Sequence, residues 1–252
     1  MNPPKDLPHL AVSVETTDVA QRVGVVATTD SRPPATRAEV PEASTRLGYR
    51  IAKRTLDLAA SSVGLVVLSP LLAGIATAVR LDSPGPILFR QERLGLGGRP
   101  FACFKFRTMH MSADQGRHQR HISRLIKRAD GMRHRAWVPI EGDERVTNVG
   151  RFLRRSHLDE LPQLLNIVRG DMSLVGPRPP IPYEVDLYEP WHLRRLSVPP
   201  GLTGLWQVLG WGRLNFDEGV KLDLDYVERR SFRLDVRIIL RTLWQIAQGR
   251  QF

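Results

Sequence analysis

From Leu58 to Val79 the chain runs for 22 residues without a charge, is broken at its middle by Ser69-Pro70, and has Arg and Lys on both flanks. As one straight helix, at about 1.5 Å per residue, the run would be about 33 Å long, just enough for a bilayer core of about 30 Å. Either half alone is far too short. Pro70 lacks an N–H and clashes with the carbonyl one turn back, so a sharp bend is expected there, with Ser69 able to satisfy a freed backbone group. Arg46, Arg50, Lys53 and Arg54 precede the run and Arg80, Arg90 and Arg93 follow it. The positive-inside bias therefore pulls both ends toward one side. The pattern predicts a re-entrant helical hairpin over residues 56–80. On charge symmetry alone, a spanning helix with a Pro kink and a buried soluble helix stay open.

After the run, Asp82-Ser83-Pro84-Gly85-Pro86 is a dense turn signal. Ile87 to Arg93 and Phe101 to Thr108 then read as two strands joined through Gly95, Gly97 and Gly98, a small hairpin. On the second strand Phe101, Cys103, Lys105 and Arg107 alternate with Ala102, Phe104, Phe106 and Thr108, so two cations project from one face. That face reads either as an anion-binding wall or as a solvated strand face. Residues 111 to 145 are polar and basic; His118, His121 and His134 lack the tight spacing of a zinc site, and a solvated helix and loop is expected. From Leu234 to Gln248 the pattern is helical: Val236, Ile239, Leu240, Leu243 and Ala247 share one side, with Arg237 and Arg241 on another and Trp244 beside them. Such a helix either lies in a membrane interface or packs on the domain core.

Together these elements predict an α+β fold that is mostly helical: a re-entrant membrane hairpin, then a small cytoplasmic domain with a short β-hairpin and amphipathic interfacial helices. Residues 1–47, rich in Pro, Thr, Ala and Val without sustained periodicity, read as a disordered tail, and 48–252 as one catalytic domain. No secretory signal is evident at the N-terminus.

The formal net charge is +11. Residues 1 to 45 hold four basic and six acidic side chains, leaving 33 basic against 20 acidic for the remainder. The folded part is therefore suited to an anionic partner, whether phosphates, acidic lipid or nucleic acid. The single cysteine, Cys103, excludes an internal disulfide framework and, between Ala102 and Phe104, reads as a core thiol.

The chemistry concentrates between Arg145 and Arg178. Arg151-Phe-Leu-Arg-Arg155 leads into Ser156-His-Leu-Asp-Glu-Leu-Pro-Gln163, then the run Leu164 to Val168, then Gly170 as a helix stop. Pro is tolerated in a first helical turn, so Pro162 places Asp159 and Glu160 at a helix N-terminus. Two adjacent carboxylates among Arg145, Arg151, Arg154 and Arg155 can hold Mg²⁺ and offer an oxygen nucleophile to a phosphate; an N-terminal charge pair without chemistry is the plain alternative. Downstream, Pro177 and Pro179 restrict Arg178 from both sides, so that its guanidinium could be pre-positioned for a bidentate grip on a diphosphate.

Six motifs occur in order: Lys53-Arg54-x-x-Asp57, Phe89-x-Gln91-x-Arg93-x-Gly95, Lys105-Phe-Arg-Thr-Met109, Leu158-Asp-Glu-Leu-Pro-Gln163, Met172-Ser-Leu-Val-Gly-Pro-Arg-Pro179 and Pro200-Gly-Leu-Thr-Gly-Leu-Trp-Gln207. Over residues 48 to 252 the chain closely resembles the bacterial sugar transferases known as monotopic polyprenyl-phosphate phosphoglycosyl transferases, in their core-only form. The resemblance implies a membrane-bound enzyme that moves a sugar phosphate from a UDP-sugar to undecaprenyl phosphate and releases UMP. It implies Asp159 as the nucleophile, Glu160 as an Mg²⁺ ligand, and Arg178 as the holder of phosphate or nucleotide. Lys105 and Arg107 are further candidates for phosphate contacts. The implied location is the bacterial inner membrane, monotopic, with the catalytic domain on the cytoplasmic face, and a homo-oligomer is left open. The stretch from Met111 to Glu144 exceeds the minimal core. A membrane-anchored basic scaffold without activity is the competing function. Nucleic-acid binding, with Trp206 and Trp211 stacking on bases, is the weakest option; either would leave the acidic pair idle.

Overall fold

The computed structural model describes residues 43, 45–111, 116–127, 143–210 and 214–248. Residues 1–42 and 44 of the expected tail, His134 and Trp211 lie outside them. Helices α1 (Leu47–Val67) and α2 (Ser69–Asp82) precede a hairpin of β1 (Leu88–Leu94) and β2 (Pro100–Phe106). Next come α3 (Gly116–Lys127), α4 (Asn148–Ser156), a 3₁₀ turn (Leu158–Glu160), α5 (Gln163–Arg169) and β3 (Ser173–Val175). After α6 (Pro182–Val185) and a 3₁₀ segment (His192–Ser197) follow β4 (Gly201–Thr203), α7 (Leu205–Gly210), α8 (Phe216–Arg229) and α9 (Phe232–Ala247). The fold is mostly helical, as expected.

The break falls where the sequence places it. Helices α1 and α2 meet at Leu68 with a bend of 63°. Pro70 sits in the first turn of α2, where its missing N–H leaves no bond unmade. Ser69 Oγ donates to the Val66 carbonyl at 2.8 Å, satisfying a group the bend frees. No single described helix is long and apolar enough to cross a membrane; only the bent pair together has that length and composition. Around the bend Val63, Val66, Val67 and Leu71 are exposed, whereas Ile75 and Val79 further along α2 pack on Phe106 and Leu153.

The charges ahead of the uncharged run fasten α1 to the domain. Lys53 Nζ donates to the Val175 carbonyl at 2.9 Å and pairs with Asp235 Oδ2 at 3.2 Å. Arg54 caps the end of α5, donating to the carbonyls of Ile167 and Val168 at 2.7 and 2.9 Å. Asp57, buried, accepts from Ser173 Oγ and the Leu174 N–H. Of the cations read as a positive-inside flank, Lys53 and Arg54 also make structural contacts with the domain.

The β-hairpin has the expected antiparallel register, Leu88 opposite Phe106 and Leu94 opposite Pro100. Beyond the exposed Pro100 and Ala102 both faces of β2 are packed. Phe101 and Cys103 pack with Leu164, Ile167 and Met172, and Phe106 packs with α2 and α4. Phe104 lies beneath the guanidinium groups of Arg90 and Arg169, at 5.6 and 4.8 Å from its ring centre. A second pair, β3 with β4, is parallel. Helix α3 falls in the stretch expected to be solvated, yet it buries Ile122 and Ile126 against Phe216, Val220 and Leu224 of α8.

Helix α9 docks through Ile238, with Leu234 and Ile239 beside it, and through a set of polar contacts. Asp235 is buried beside Lys53 and accepts from Tyr49 and Tyr226 hydroxyls, Thr242 Oγ1 meets Thr203 Oγ1 at 2.8 Å, and Gln245 donates to the Val208 carbonyl. Of the predicted apolar stripe, Ile239 joins the core while Leu240, Leu243 and Trp244 are exposed.

The turn from β3 into the following loop depends on Gly176. A Cβ there would sit 2.4 Å from the Pro199 carbonyl oxygen and 2.8 Å from the Gly201 nitrogen, both backbone atoms that cannot swing away. Gly176→Ala is therefore expected to destabilise the fold by about 1–3 kcal/mol in denaturant titration. Gly48→Ala on α1, where nothing lies within 4 Å, is the control, expected to be neutral or slightly stabilising.

Candidate active site

The acidic pair stands on a chain reversal. Helix α4 ends at His157, whose φ of 57° makes it the one non-glycine residue in the left-handed region among the described residues. Such a backbone costs on the order of 1–2 kcal/mol. It is held by Leu158 and Leu161, which pack into the cluster around Ile75, Val79, Phe106 and Leu153. Asp159 and Glu160 then occupy the 3₁₀ turn, and α5 starts only at Gln163, after Pro162. This corrects the expectation that the acids lie in the first turn of the α-helix: a separate turn carries them. Gly170, with φ 93°, ends α5 as expected.

Asn166 registers this segment against the hairpin. Fully buried, it accepts from the Phe104 N–H at 3.0 Å and donates to the Ala102 carbonyl at 2.7 Å. That register brings Lys105 to the acidic turn, where its ammonium contacts Glu160 Oε1. Lys105 thus serves the pair directly.

The two carboxylates are pushed in opposite directions. Burial, and after it the charge of Glu160, raises Asp159 to about 6, against the opposing pull of Lys105 and Arg154. Burial would raise Glu160 as well, but Lys105, with His157 and Arg178, outweighs it and holds this carboxyl below its usual range. His157 is lowered, chiefly by burial.

Arg154 is a contributor that the sequence marked only as one of four nearby arginines. Its Nε donates to Thr108 Oγ1 at 2.9 Å, and its charge favours the ionised form of Asp159. Arg178 reaches the same site from the loop after β3, within electrostatic reach of Glu160. Burial and the nearby Arg93 lower it to about 10, so it stays charged at neutral pH. Glu184, fully buried, lies 3.8 Å from Arg178 Nη1. Pro177 and Pro179 are buried and their carbonyls are taken by Gly201 N–H and Arg93 Nη1, so they frame Arg178 and do not themselves face the site.

Two candidates lie elsewhere in the network. Arg107 was expected beside Lys105 as a phosphate contact. Strand β2 ends at Phe106, however, and Arg107 turns inward to donate to the carbonyls of Pro86, Val79 and Ser83, at 2.6, 3.2 and 2.5 Å. It locks the turn after α2. Arg145 grips Asp143 through Nε and Nη2 at 2.8 and 2.6 Å. Among the described residues no group of three or more His, Cys, Asp or Glu is placed to hold a metal ion. The side chains of His118 and His121 fall outside the description, and Trp206 is buried, which removes it as a base-stacking platform.

Comparison with known proteins gives one direction. A sequence profile described as bacterial sugar transferase matches residues 48–249. The chain is 42% identical over 206 residues to the UDP-glucose:undecaprenyl-phosphate glucose-1-phosphate transferase of Caulobacter vibrioides, covering 79% of this chain and 70% of that protein. It is 38% identical over 210 residues to the galactosyl transferase CpsE of Streptococcus agalactiae, covering 81% of this chain and 44% of the relative, so it spans under half of that protein. It is 37% identical over 203 residues to the exopolysaccharide production protein ExoY of Rhizobium meliloti, covering 79% of this chain and 87% of the relative.

Proposed function

Because the chain belongs to the bacterial sugar transferase family, we propose that it transfers a sugar 1-phosphate from a UDP-sugar to undecaprenyl phosphate, releasing UMP, as the first step of an exopolysaccharide, capsule or O-antigen type glycan. The observation that carries this reading is the pair of adjacent carboxylates with divergent acidities, flanked by Lys105, Arg154 and Arg178. Environments that drive two neighbouring acids apart are a mark of divided chemical roles.

In this scheme the ionised Asp159 attacks the β-phosphorus of the donor, and the bond from that phosphorus to the bridging oxygen breaks. UMP leaves with the electron pair, and an aspartyl-phosphosugar remains. An oxygen of undecaprenyl phosphate then attacks the same phosphorus and the aspartyl bond breaks, restoring the carboxylate. No proton need be supplied at either step. Arg178 holds the diphosphate, and Lys105 and Arg154 reduce the repulsion between an anionic nucleophile and an anionic donor. Asp159 and Glu160 suit Mg²⁺, which is commonly bound by one or two carboxylates with substrate phosphates and water completing its shell; Glu160 already attracts a cation in Lys105. Bound there, Mg²⁺ would neutralise charge on the diphosphate.

The proposed location is the inner membrane, with α1 and α2 as a re-entrant hairpin and the catalytic domain on the cytoplasmic face. The exposed apolar residues around the bend and along α9 support it, since a surface of that kind favours contact with lipid. A basic scaffold without activity would bind acidic lipid equally well but gives the acidic pair no task.

The test is to incubate the detergent-solubilised protein with Mg²⁺, undecaprenyl phosphate and a panel of UDP-sugars that includes UDP-glucose and UDP-galactose. UMP is expected with at least one donor, up to one equivalent per chain without the lipid phosphate and beyond one equivalent only when it is supplied. Folded protein that releases none with any donor contradicts the proposal.

A further inference from the structure

Three of the four residues from Pro177 to Pro180 are proline, so this segment has one backbone N–H, that of Arg178. The ionised form of the Asp223 carboxylate on α8 is favoured by the nearby N–H of Arg178. The carbonyl of the same residue accepts from Arg195 Nη2 at 3.2 Å. The same nitrogen contacts Asp223 Oδ2, while Arg195 Nη1 donates to the Tyr188 hydroxyl at 3.1 Å. Both partners are buried, their side chains 3% and 1% exposed. The carbonyls of Pro177, Pro179 and Pro180 are held by Gly201 N–H, Arg93 Nη1 and Leu94 N–H.

The Pro177 carbonyl lies in the peptide plane before the Arg178 Cα and the Arg178 carbonyl in the plane after it; Gly201 N–H holds the first and Arg195 Nη2 the second. Fixing both planes fixes φ and ψ between them, and so the direction in which the side chain leaves the backbone. The neighbouring prolines restrict the chain but cannot do this for Arg178 itself. A buried ion pair is weak evidence for stability, because desolvation offsets its attraction. Here the pair converges on the one segment residue whose charge reaches Glu160 of the acidic turn.

We propose that Arg195 and Asp223 are positioning residues: Arg195, held in place by Asp223, grips the Arg178 carbonyl and so aims the Arg178 guanidinium at the diphosphate of the donor. This rests on the role given to Arg178 in the proposed function. Neither residue touches the reacting atoms.

The test is a double-mutant cycle on the full chain, read as UMP release at varied donor concentration, with thermal unfolding alongside. Replacing the pair by apolar side chains of similar size, Arg195→Met with Asp223→Leu, leaves no buried charge behind and is expected to fold. It should lower kcat/KM by about 10²-fold, the scale of a misaimed catalytic group. In an Arg178→Ala background the same two substitutions should change kcat/KM by less than about twofold, since no guanidinium is left to aim. A general structural role predicts equal fractional losses in both backgrounds, and that result overturns the proposal, as does a folded double variant with wild-type kcat/KM. Should the double variant not fold, Arg195→Lys keeps the charge but not the fork that reaches Asp223, Tyr188 and the carbonyl at once. It is expected to lose about tenfold, again only when Arg178 is present; full activity overturns the proposal. Wild-type transfer by Arg178→Ala alone removes Arg178 from the reaction, a failure of the underlying reading visible without the cycle, and the clamp falls with it.

Discussion

Asp159→Asn is expected to lower UMP release by at least about 10³-fold while making the protein more stable at pH 8. The loss follows from replacing the proposed attacking oxygen by an amide that cannot form the intermediate. The gain follows from the acidity of the group. Its carboxyl is raised in the folded chain from 3.8 to about 6, so ionisation is easier in the unfolded chain than in the folded one. Below about pH 3 the carboxyl is protonated in both states and nothing is lost. Between about pH 4 and 6 the unfolded chain ionises while the folded one keeps its proton, and above 6 the folded state carries a charge it disfavours, a penalty on the order of 3 kcal/mol that is complete by about pH 7. Asn is free of that penalty, so the thermal midpoint of the variant should exceed that of the parent at pH 8 and approach it at pH 4. Transfer by the parent should rise with pH through about 6, as the nucleophile ionises. An acid kept only for its salt links gives the reverse pattern, full activity and lower stability.

Glu160→Gln is expected to cut transfer by about 10²-fold or more and to destabilise the protein at pH 7. The sign reverses because Lys105, with His157 and Arg178, holds this carboxyl below its usual 4.5 despite burial. Its contribution to stability is present above pH 4.5 and is lost as pH falls through the lower folded value. Gln leaves the half-buried Lys105 without its counter-charge, a loss of about 1–3 kcal/mol. Chelation should abolish transfer by the parent protein, and excess Mg²⁺ should restore it. In Glu160→Gln, half-maximal activity should need a higher Mg²⁺ concentration. Activity of the parent unchanged by a chelator would remove the metal from the scheme. Two adjacent acids whose loss moves stability in opposite directions while activity falls in both are hard to reconcile with a simple charge pair.

Local signals were legible in the sequence and long-range ones were not. Pro70 and Gly170 fix their own surroundings, so the bend and the end of α5 were readable, and the glycines after β1 announced the hairpin. Alternation along β2, read to Thr108, runs two residues past the end of the strand at Phe106. Arg107 lies just past the strand, and its carbonyl partners at 79, 83 and 86 are set by where α2 ends, which no local pattern encodes. The apolar stripe of α9 was read correctly as a stripe. Its outward direction was not readable, because Asp235 is drawn inward by Lys53, 182 residues away in sequence. The three-residue strands β3 and β4 are too short to show a period. The acidic pair, Lys105 and Arg178 stand out by residue type, yet their meeting depends on Asn166, which looks like a polar interruption of an apolar run and is in fact the register pin between α5 and β2.

The central claim is that Asp159 becomes covalently bonded to the transferred phosphosugar. The direct measurement is intact-protein and peptide mass spectrometry after brief incubation with the accepted UDP-sugar and Mg²⁺ but no undecaprenyl phosphate. The account predicts one added sugar phosphate per chain, located on Asp159 and discharged when the lipid phosphate is supplied. A donor that yields UMP while the label falls on another residue, or never forms on protein that is otherwise turning over, contradicts it.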